Sequence, residues 1–445
     1  MSLTQDRAAL IRTELKAVDG APPRPKDPLP KHLKMARSPF RFFRGSAQLF
    51  YADLASGLLP VPEALRDVPL TRVQGDCHFS NFGFLTEEGS HGDAVIWCPN
   101  DYDDACMGRT AWDLLRFAAS LVLAAEYAVG VCGGTYEMED DDPVPPGTAP
   151  EPEAAARAIE SFLTAYARAC ADVVGDPDAR DRVIGGFKKK HALGPAERKA
   201  RKRTAGGKNF ETKSSLAKAA EVRDGAWRFR DIPGRHGRLD AAEKADIVEA
   251  FRPYVDDAIL DVVRRLGAGT GSVDVDRYYL LVGPPRLDPT RPHLNHVVEV
   301  KRQKPAAPLR HFPDMSPTNR LDPAHLTVDC QRVMQRRPDM VLDEARWRGH
   351  HWLIRSRHFA RVGLDPEVLI CEKPARMIEE YAEACGEALA LAHARGDRRS
   401  TDLEAAMAEA LAIDRTRETI NRAAVDYAAQ VVEDWAALRG LLNDG

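Results

Sequence analysis

The chain has 445 residues, 44% apolar and 29% charged, enough to bury a core across two or three domains. A formal net charge of -4 excludes the strongly basic balance of a nucleic-acid binder. The eight cysteines form neither a C-x-x-C pair nor a zinc spacing, so the thiols read as reduced and the protein as cytoplasmic. The first residues hold no apolar signal region. The most apolar window, FAASLVLAAEYAVGVCGG, contains Glu126 and is short for a membrane span, so it reads as a buried helix and no membrane partner is expected.

In chain order, residues 1–60 read as helices broken at the proline-rich APPRPKDPLP. Residues 70–105 read as loop, strand, turn and strand, with FGFLTEEGSHGDAVIW carrying apolar runs on both sides of a glycine-containing turn. A long helix is expected from Thr110. The acidic, proline-rich EMEDDDPVPPGTAPEPE reads as a solvated excursion. Residues 151–265 read as mostly helical, with a basic run at 188–203 that is expected to be a solvated face. GAGTGS then opens a β-rich region with strands VDRYYLLVG and NHVVEVKR, and the tail from Lys373 is helical. This divides the chain into 1–134 (helices, a polar loop and a hairpin), 135–265 (a mostly helical insertion), 266–372 (a β-rich lobe) and 373–445 (C-terminal helices).

The polar loop is GDCHFSNFG, residues 75–83. Its turn-forming composition is one explanation. A phosphoryl-transfer site is another. Such a site needs an aspartate at the attacking hydroxyl, oxygens for a divalent ion, a glycine-rich loop over the phosphates and a lysine to pair with them. Asp76 and Asn81 stand five residues apart, the G-D-x-x-x-x-N spacing of a kinase catalytic loop. A hairpin follows, then NDYDDACMG, where Asp101 takes the place of the metal-binding acid, with Asp103 and Asp104 beside it. Two carboxylates ~5 Å apart at an effective dielectric near 20 repel by roughly 3 kcal/mol, a cost that a divalent cation removes. All-oxygen ligands favour Mg2+, or Mn2+, over zinc. The literal His91-Gly92-Asp93 is set aside: it lies in the predicted hairpin turn, and Cys98 stands where an Asn is required.

LGAGTGSVDVDRYYLLV places Gly267, Gly269, Gly271 and Ser272 ahead of a strand rather than a helix, which argues against Rossmann and P-loop sites and for a kinase-type lid over ATP. VVEVKR ends a strand on Lys301, like the kinase lysine, with Lys304 as the alternative and Asp329 as the candidate helix-borne partner acid. The glycine loop and lysine follow the catalytic loop by about 190 residues, the reverse of kinase order. A circular permutation explains this. It requires the helix that normally leads into the catalytic loop to lie near the C-terminus, and GEALALAHARGD, with His393, fits that helix.

With SPFRFFRGSAQLFYADLA, GDCHFSNFGF, NDYDDACMGRTAWDLLRFAAS, VEVKRQ and CQRVMQ, these stretches make the chain similar to the bacterial domain-of-unknown-function family 2252 over most of its length. The resemblance implies an α+β, protein-kinase-like two-lobe fold, permuted and carrying a large helical insertion. It places Asp76, His78 and Asn81 in the catalytic loop, Asn81, Asp101 and Asp103 on the metal, and Asp113 as the brace of the loop. Gln74 departs from the pattern, standing where kinases carry the first histidine of H-G-D. Arg44 of FRFFRG is a candidate phosphate contact. The expectation is an ATP- and magnesium-dependent phosphotransferase for a small molecule or a protein, with nucleotidyl transfer from the same site as a variant. The competing readings are a nucleotide-binding pseudokinase and a metallophosphoesterase. The D-x-H of Asp76 and His78 suggests the latter, but the further G-D-x-x-D and G-N-H that it needs are missing.

Overall fold

In the computed structural model, residues 3–138, 142–267, 276–288 and 290–443 are described. The apolar run after Thr110 forms one helix, Thr110–Cys132, buried on nearly every side. It is long and apolar enough to cross a membrane by length and composition alone, and 83% of that window is buried inside the protein. Its neighbours are the helices Pro39–Gly45, Pro152–Gly175, Pro374–Gly396 and Asp414–Asn443. The helices Pro152–Gly175 and Pro374–Gly396 cross closely because Gly386 has no side chain: a Cβ there would stand 2.2 Å from the Phe162 carbonyl oxygen. Together with the N-terminal helices these form a helical lobe around the largest apolar core.

Two small sheets lie against this lobe. Thr71–Val73 pairs with Cys106–Gly108, and Phe82–Thr86 pairs with both Val95–Pro99 and Val362–Gly363. The expected hairpin is therefore formed, and its two long strands are buried on both faces.

The second lobe is a six-stranded antiparallel sheet in the spatial order Leu342–Trp347, His350–Ser356, His296–Arg302, Arg277–Gly283, Ala258–Arg265 and His236–Gly237. Strand alternation separates its faces. Val298, Val300, Leu280, Tyr278, Ile354 and Trp352 pack under Ile247 and Phe251 of the helix Ala241–Phe251. The opposite set includes Lys301, paired in register with Arg277 and Leu353, and Glu299, paired with Tyr279 and Arg355. The helix Pro323–Met334 joins the lysine strand to the last two strands and touches Pro374–Gly396 of the helical lobe.

The fold is thus α+β. The strand Ala258–Arg265 and the small hairpin Ala220–Arg223/Ala226–Phe229 interrupt the stretch expected to be mostly helical. Its first helix, Pro152–Gly175, belongs to the main helical core. The acidic, proline-rich stretch is not wholly free either: Thr148 and Cys371 exchange backbone hydrogen bonds at 3.0 and 3.2 Å.

Candidate active site

The strand Thr71–Val73 runs into the polar loop, and one helix holds that loop in place. Asp113, Arg116 and Ser120 are buried polar residues at i, i+3 and i+7 on the otherwise apolar Thr110–Cys132, so they share one face. Asp113 accepts the Gln74 and Gly75 backbone N–H groups at 2.6 and 3.0 Å. Arg116 donates from Nε to Asp76 Oδ1 at 2.7 Å and, from Nη2, to the same oxygen and the Phe43 carbonyl. The Ser120 hydroxyl accepts the Phe79 N–H at 2.9 Å. The Arg116 guanidinium also lies over the Phe43 ring, 4.1 Å from its centroid. Gly75 turns the chain at φ +79°, and a Cβ there would stand 1.9 Å from the Asp104 carbonyl oxygen.

Behind Asp113 stands the C-terminal helix. His393 Nε2 is 3.0 Å from Asp113 Oδ2 and its Nδ1 is 2.8 Å from the Tyr166 hydroxyl. A carboxylate only accepts, so Nε2 carries the proton and Nδ1 accepts from Tyr166. The Thr71 hydroxyl donates to the His393 carbonyl and Arg72 to that of Gly396, each at 2.9 Å. The helix Pro374–Gly396 therefore ends where the strand leading to the loop begins.

One cleft is lined by Asp76, His78, Asn81, Asp101, Asp103 and Asp104 from the helical side and by Lys301, Gln303 and Lys304 from the sheet side, with Lys31, Arg44 and Gln48 from the N-terminal helices. Lys301 makes an ion pair with Asp103, 198 residues away, and Gln303 Nε2 donates to the Asp103 carbonyl at 2.7 Å. Asn81 Nδ2 donates to the Asp76 carbonyl at 2.8 Å. The loop and the acidic turn are tied together by Gln74, which donates to the carbonyls of Asn81 and Asp101 at 3.2 and 2.9 Å. Gln74, the residue that departs from the kinase pattern, thus acts as a structural clasp.

Crowding of the carboxylates shows in their acidity. Burial and then Asp103 push Asp101 up. Burial and then Asp76 push Asp104 up to about 7, against the Ala307 N–H that it accepts at 2.7 Å. Asp103 goes the other way: burial opposes its ionisation, but Lys301 and Arg355 hold it at about 2. Burial, helped by Arg44 and Arg116, depresses His78 well below its ordinary value, so it is neutral, with Nε2 3.6 Å from Asp76 Oδ2. Asp103 Oδ1 is buried and accepts no hydrogen bond, although Arg355 Nη1 stands 3.7 Å away. A crowded, all-oxygen set with an unsatisfied carboxylate oxygen fits a hard divalent ion, and Asn81, Asp101 and Asp103 are the residues that would hold it.

Deeper on the sheet side, Glu299 is buried among three arginines. It accepts from Arg277 and Arg355 at 3.1 Å each and from Arg357 at 3.4 Å. Burial opposes its ionisation, yet these guanidinium groups hold it well below the carboxylate range. Sequence reasoning missed this cluster, as it missed Arg116 and Gln303. Only Arg116 had a local signal, the polar i, i+3, i+7 stripe on an apolar helix.

The structure gathers Asp76, His78, Asn81, Asp101, Asp103 and Lys301 into this cleft. Gly267 follows the strand Ala258–Arg265 at φ +62°, while Gly269, Gly271 and Ser272 lie outside the described residues. The strands on either side of them, Ala258–Arg265 and Arg277–Gly283, are antiparallel neighbours in the sheet. Asp329 is not the partner of Lys301: it binds Arg72 at 2.9 Å, and Lys301 turns to Asp103 instead. Arg44 and Lys304, the candidate phosphate contact and the alternative lysine, both line the cleft. The basic run at 188–203 contributes no lining residue among those described.

Residues 26–130 and 149–441 match the model of the family described as an uncharacterized protein conserved in bacteria, DUF2252. The chain belongs to this family. No curated protein and no solved structure matches it.

Proposed function

We infer that this DUF2252 protein is an ATP- and magnesium-dependent phosphotransferase on a circularly permuted, kinase-like two-lobe fold, acting on a small molecule or a protein. The observation that carries the reading is the ion pair between Lys301 of the sheet lobe and Asp103 of the acidic turn, across a cleft that Asp76 and Asn81 also line. A lysine, a loop aspartate and an amide-plus-carboxylate metal set are the parts that phosphoryl transfer demands. Strand order supports the fold: two antiparallel strands flanking the glycine-rich segment, the lysine strand, a helix and two further strands follow one another as in a kinase small lobe. The permutation is supported by the meeting of Gly396 with Arg72, since joining those points and opening the chain elsewhere restores kinase order.

In this reading Arg116 occupies Asp76 Oδ1 and leaves Oδ2 to receive a substrate hydroxyl proton. Lys301 would exchange Asp103 for donor phosphate oxygens, with Arg44 and Lys304 adding positive charge in the cleft. A bound magnesium ion would supply charge neutralisation at the phosphates. Neutral His78 would add a polar group beside the reacting hydroxyl without a competing charge. Asp101→Asn is expected to abolish turnover and leave the fold intact. Wild-type activity in that variant would reject the assignment.

A second reading, nucleotide binding without turnover, draws on the Arg116–Asp76 pair, because a buried guanidinium already occupies one oxygen of the loop aspartate. A thermal shift with ATP, with and without magnesium, followed by measurement of ADP release, separates the two. A magnesium-dependent shift with no ADP formed favours binding alone.

A further inference from the structure

The hairpin turn set aside as a catalytic decoy meets the far end of the sheet. His91 Nε2 is 2.6 Å from Asp256 Oδ2, and His296 Nε2 is 3.2 Å from Asp256 Oδ1. The two imidazole centroids are 5.2 Å apart, and the three ligand atoms all lie within 4.8 Å of one another. These residues come from three separate segments: the turn between Phe82–Thr86 and Val95–Pro99, the approach to Ala258–Arg265, and the first residue of His296–Arg302. We propose that His91, Asp256 and His296 form a binding site for a divalent transition-metal ion of the zinc type, which ties the hairpin of the helical lobe to the sheet lobe.

A carboxylate flanked by two imidazoles is the competing explanation, and only His91 meets it with hydrogen-bond geometry. His296 is only 4% exposed, and its Nε2 meets Asp256 Oδ1 at 3.2 Å as an ion-pair contact without hydrogen-bond geometry. A buried polar atom in that state is costly, and a metal ion is a partner that accepts its lone pair. Zinc bonds of ~2.0–2.1 Å in a tetrahedral array set ligand atoms about 3.3 Å apart; here His296 Nε2 is 3.2 Å from one Asp256 oxygen and His91 Nε2 is 2.6 Å from the other, so small side-chain shifts would seat an ion. Two imidazoles and one carboxylate leave a fourth position for water. They select zinc-like ions over magnesium, which prefers oxygen ligands. The turn is built to present His91: a Cβ on Gly92 would stand 2.1 Å from the Glu87 carbonyl oxygen, so only glycine allows the chain to close there.

The site is independent of the phosphotransferase reading. His296 begins the strand on which Lys301 is the sixth residue, and a strand rise of ~3.3 Å per residue puts the two about 17 Å apart. The test titrates Zn2+ alone into full-length, chelator-treated protein by calorimetry, with Mg2+ as the control. The expected result is one zinc per chain that excess Mg2+ does not displace, and a raised melting temperature. Co2+ in its place should give the visible absorption of a tetrahedral nitrogen–oxygen site. His91→Gln and Asp256→Asn change partly exposed side chains and should fold, as circular dichroism would verify. Each should weaken zinc binding tenfold or more and remove the cobalt absorption. No zinc binding by the wild type, or equal binding by wild type and His91→Gln, overturns the proposal.

Discussion

Removing the Asp113 carboxylate should cost the protein a large part of its stability. Asp113 is fully buried and accepts three donors: the Gln74 and Gly75 amides at 2.6 and 3.0 Å and His393 Nε2–H at 3.0 Å. In Asp113→Ala both amides lose their acceptor at the point where Gly75 turns at φ +79°. Each buried donor left without a partner costs ~1–3 kcal/mol, and water entering the small vacated space recovers part of that. The expected loss is about 3–5 kcal/mol, a large fraction of the ~5–15 kcal/mol that holds a typical domain folded. Urea unfolding followed by tryptophan fluorescence should show a lower midpoint at an unchanged slope. Asp113→Asn keeps one acceptor oxygen but turns an N–H2 group toward a donor, so its loss should be smaller, about 1–3 kcal/mol. His393→Ala removes one of the three donors, and the double variant with Asp113→Ala should fall short of additivity by ~0.5–3 kcal/mol. If Asp113→Ala stays within about 1 kcal/mol of wild type, or if the two changes add fully, this carboxylate does not hold the loop.

Glu299→Gln would leave Arg277, Arg355 and Arg357 crowded without their common counter-charge, so a loss of about 3–5 kcal/mol is expected. Inorganic pyrophosphate should then raise the melting temperature of the variant more than that of the wild type, and equal shifts would contradict the charge argument. Asp19 is buried beside Lys31 at 2.7 Å and His32 at 3.1 Å. Burial opposes its ionisation, but His32 and Lys31 outweigh it and hold the carboxylate below its ordinary range. A depressed acid stabilises the fold above its unfolded pKa, ~3.9, and that contribution fades as pH falls through the folded value. Asp19→Asn should therefore be less stable than wild type at neutral pH, with the gap narrowing below about pH 4 in urea titrations. A gap that stays constant with pH would show that the ion pair is not its source.

Local pattern was enough to determine much of this protein. The buried helix Thr110–Cys132, the hairpin Phe82–Pro99, the strands Arg277–Gly283 and His296–Arg302 and the helix Pro374–Gly396 follow from runs and spacings that neighbouring residues impose on one another. The spacing of Asp76, Asn81 and Asp101 around a hairpin is likewise a property of one continuous stretch, and it singled out side chains that line the cleft. What only the tertiary structure decided is which charges meet. Lys301 reaches Asp103 and not Asp329, Arg116 takes Asp76, Glu299 gathers three arginines, and His91 meets His296. Each of these contacts except Glu299 with its neighbour Arg277 across the hairpin joins segments that are remote along the chain. Their energy depends on burial and on distances of a few ångströms, and neither quantity exists until the tertiary structure has formed.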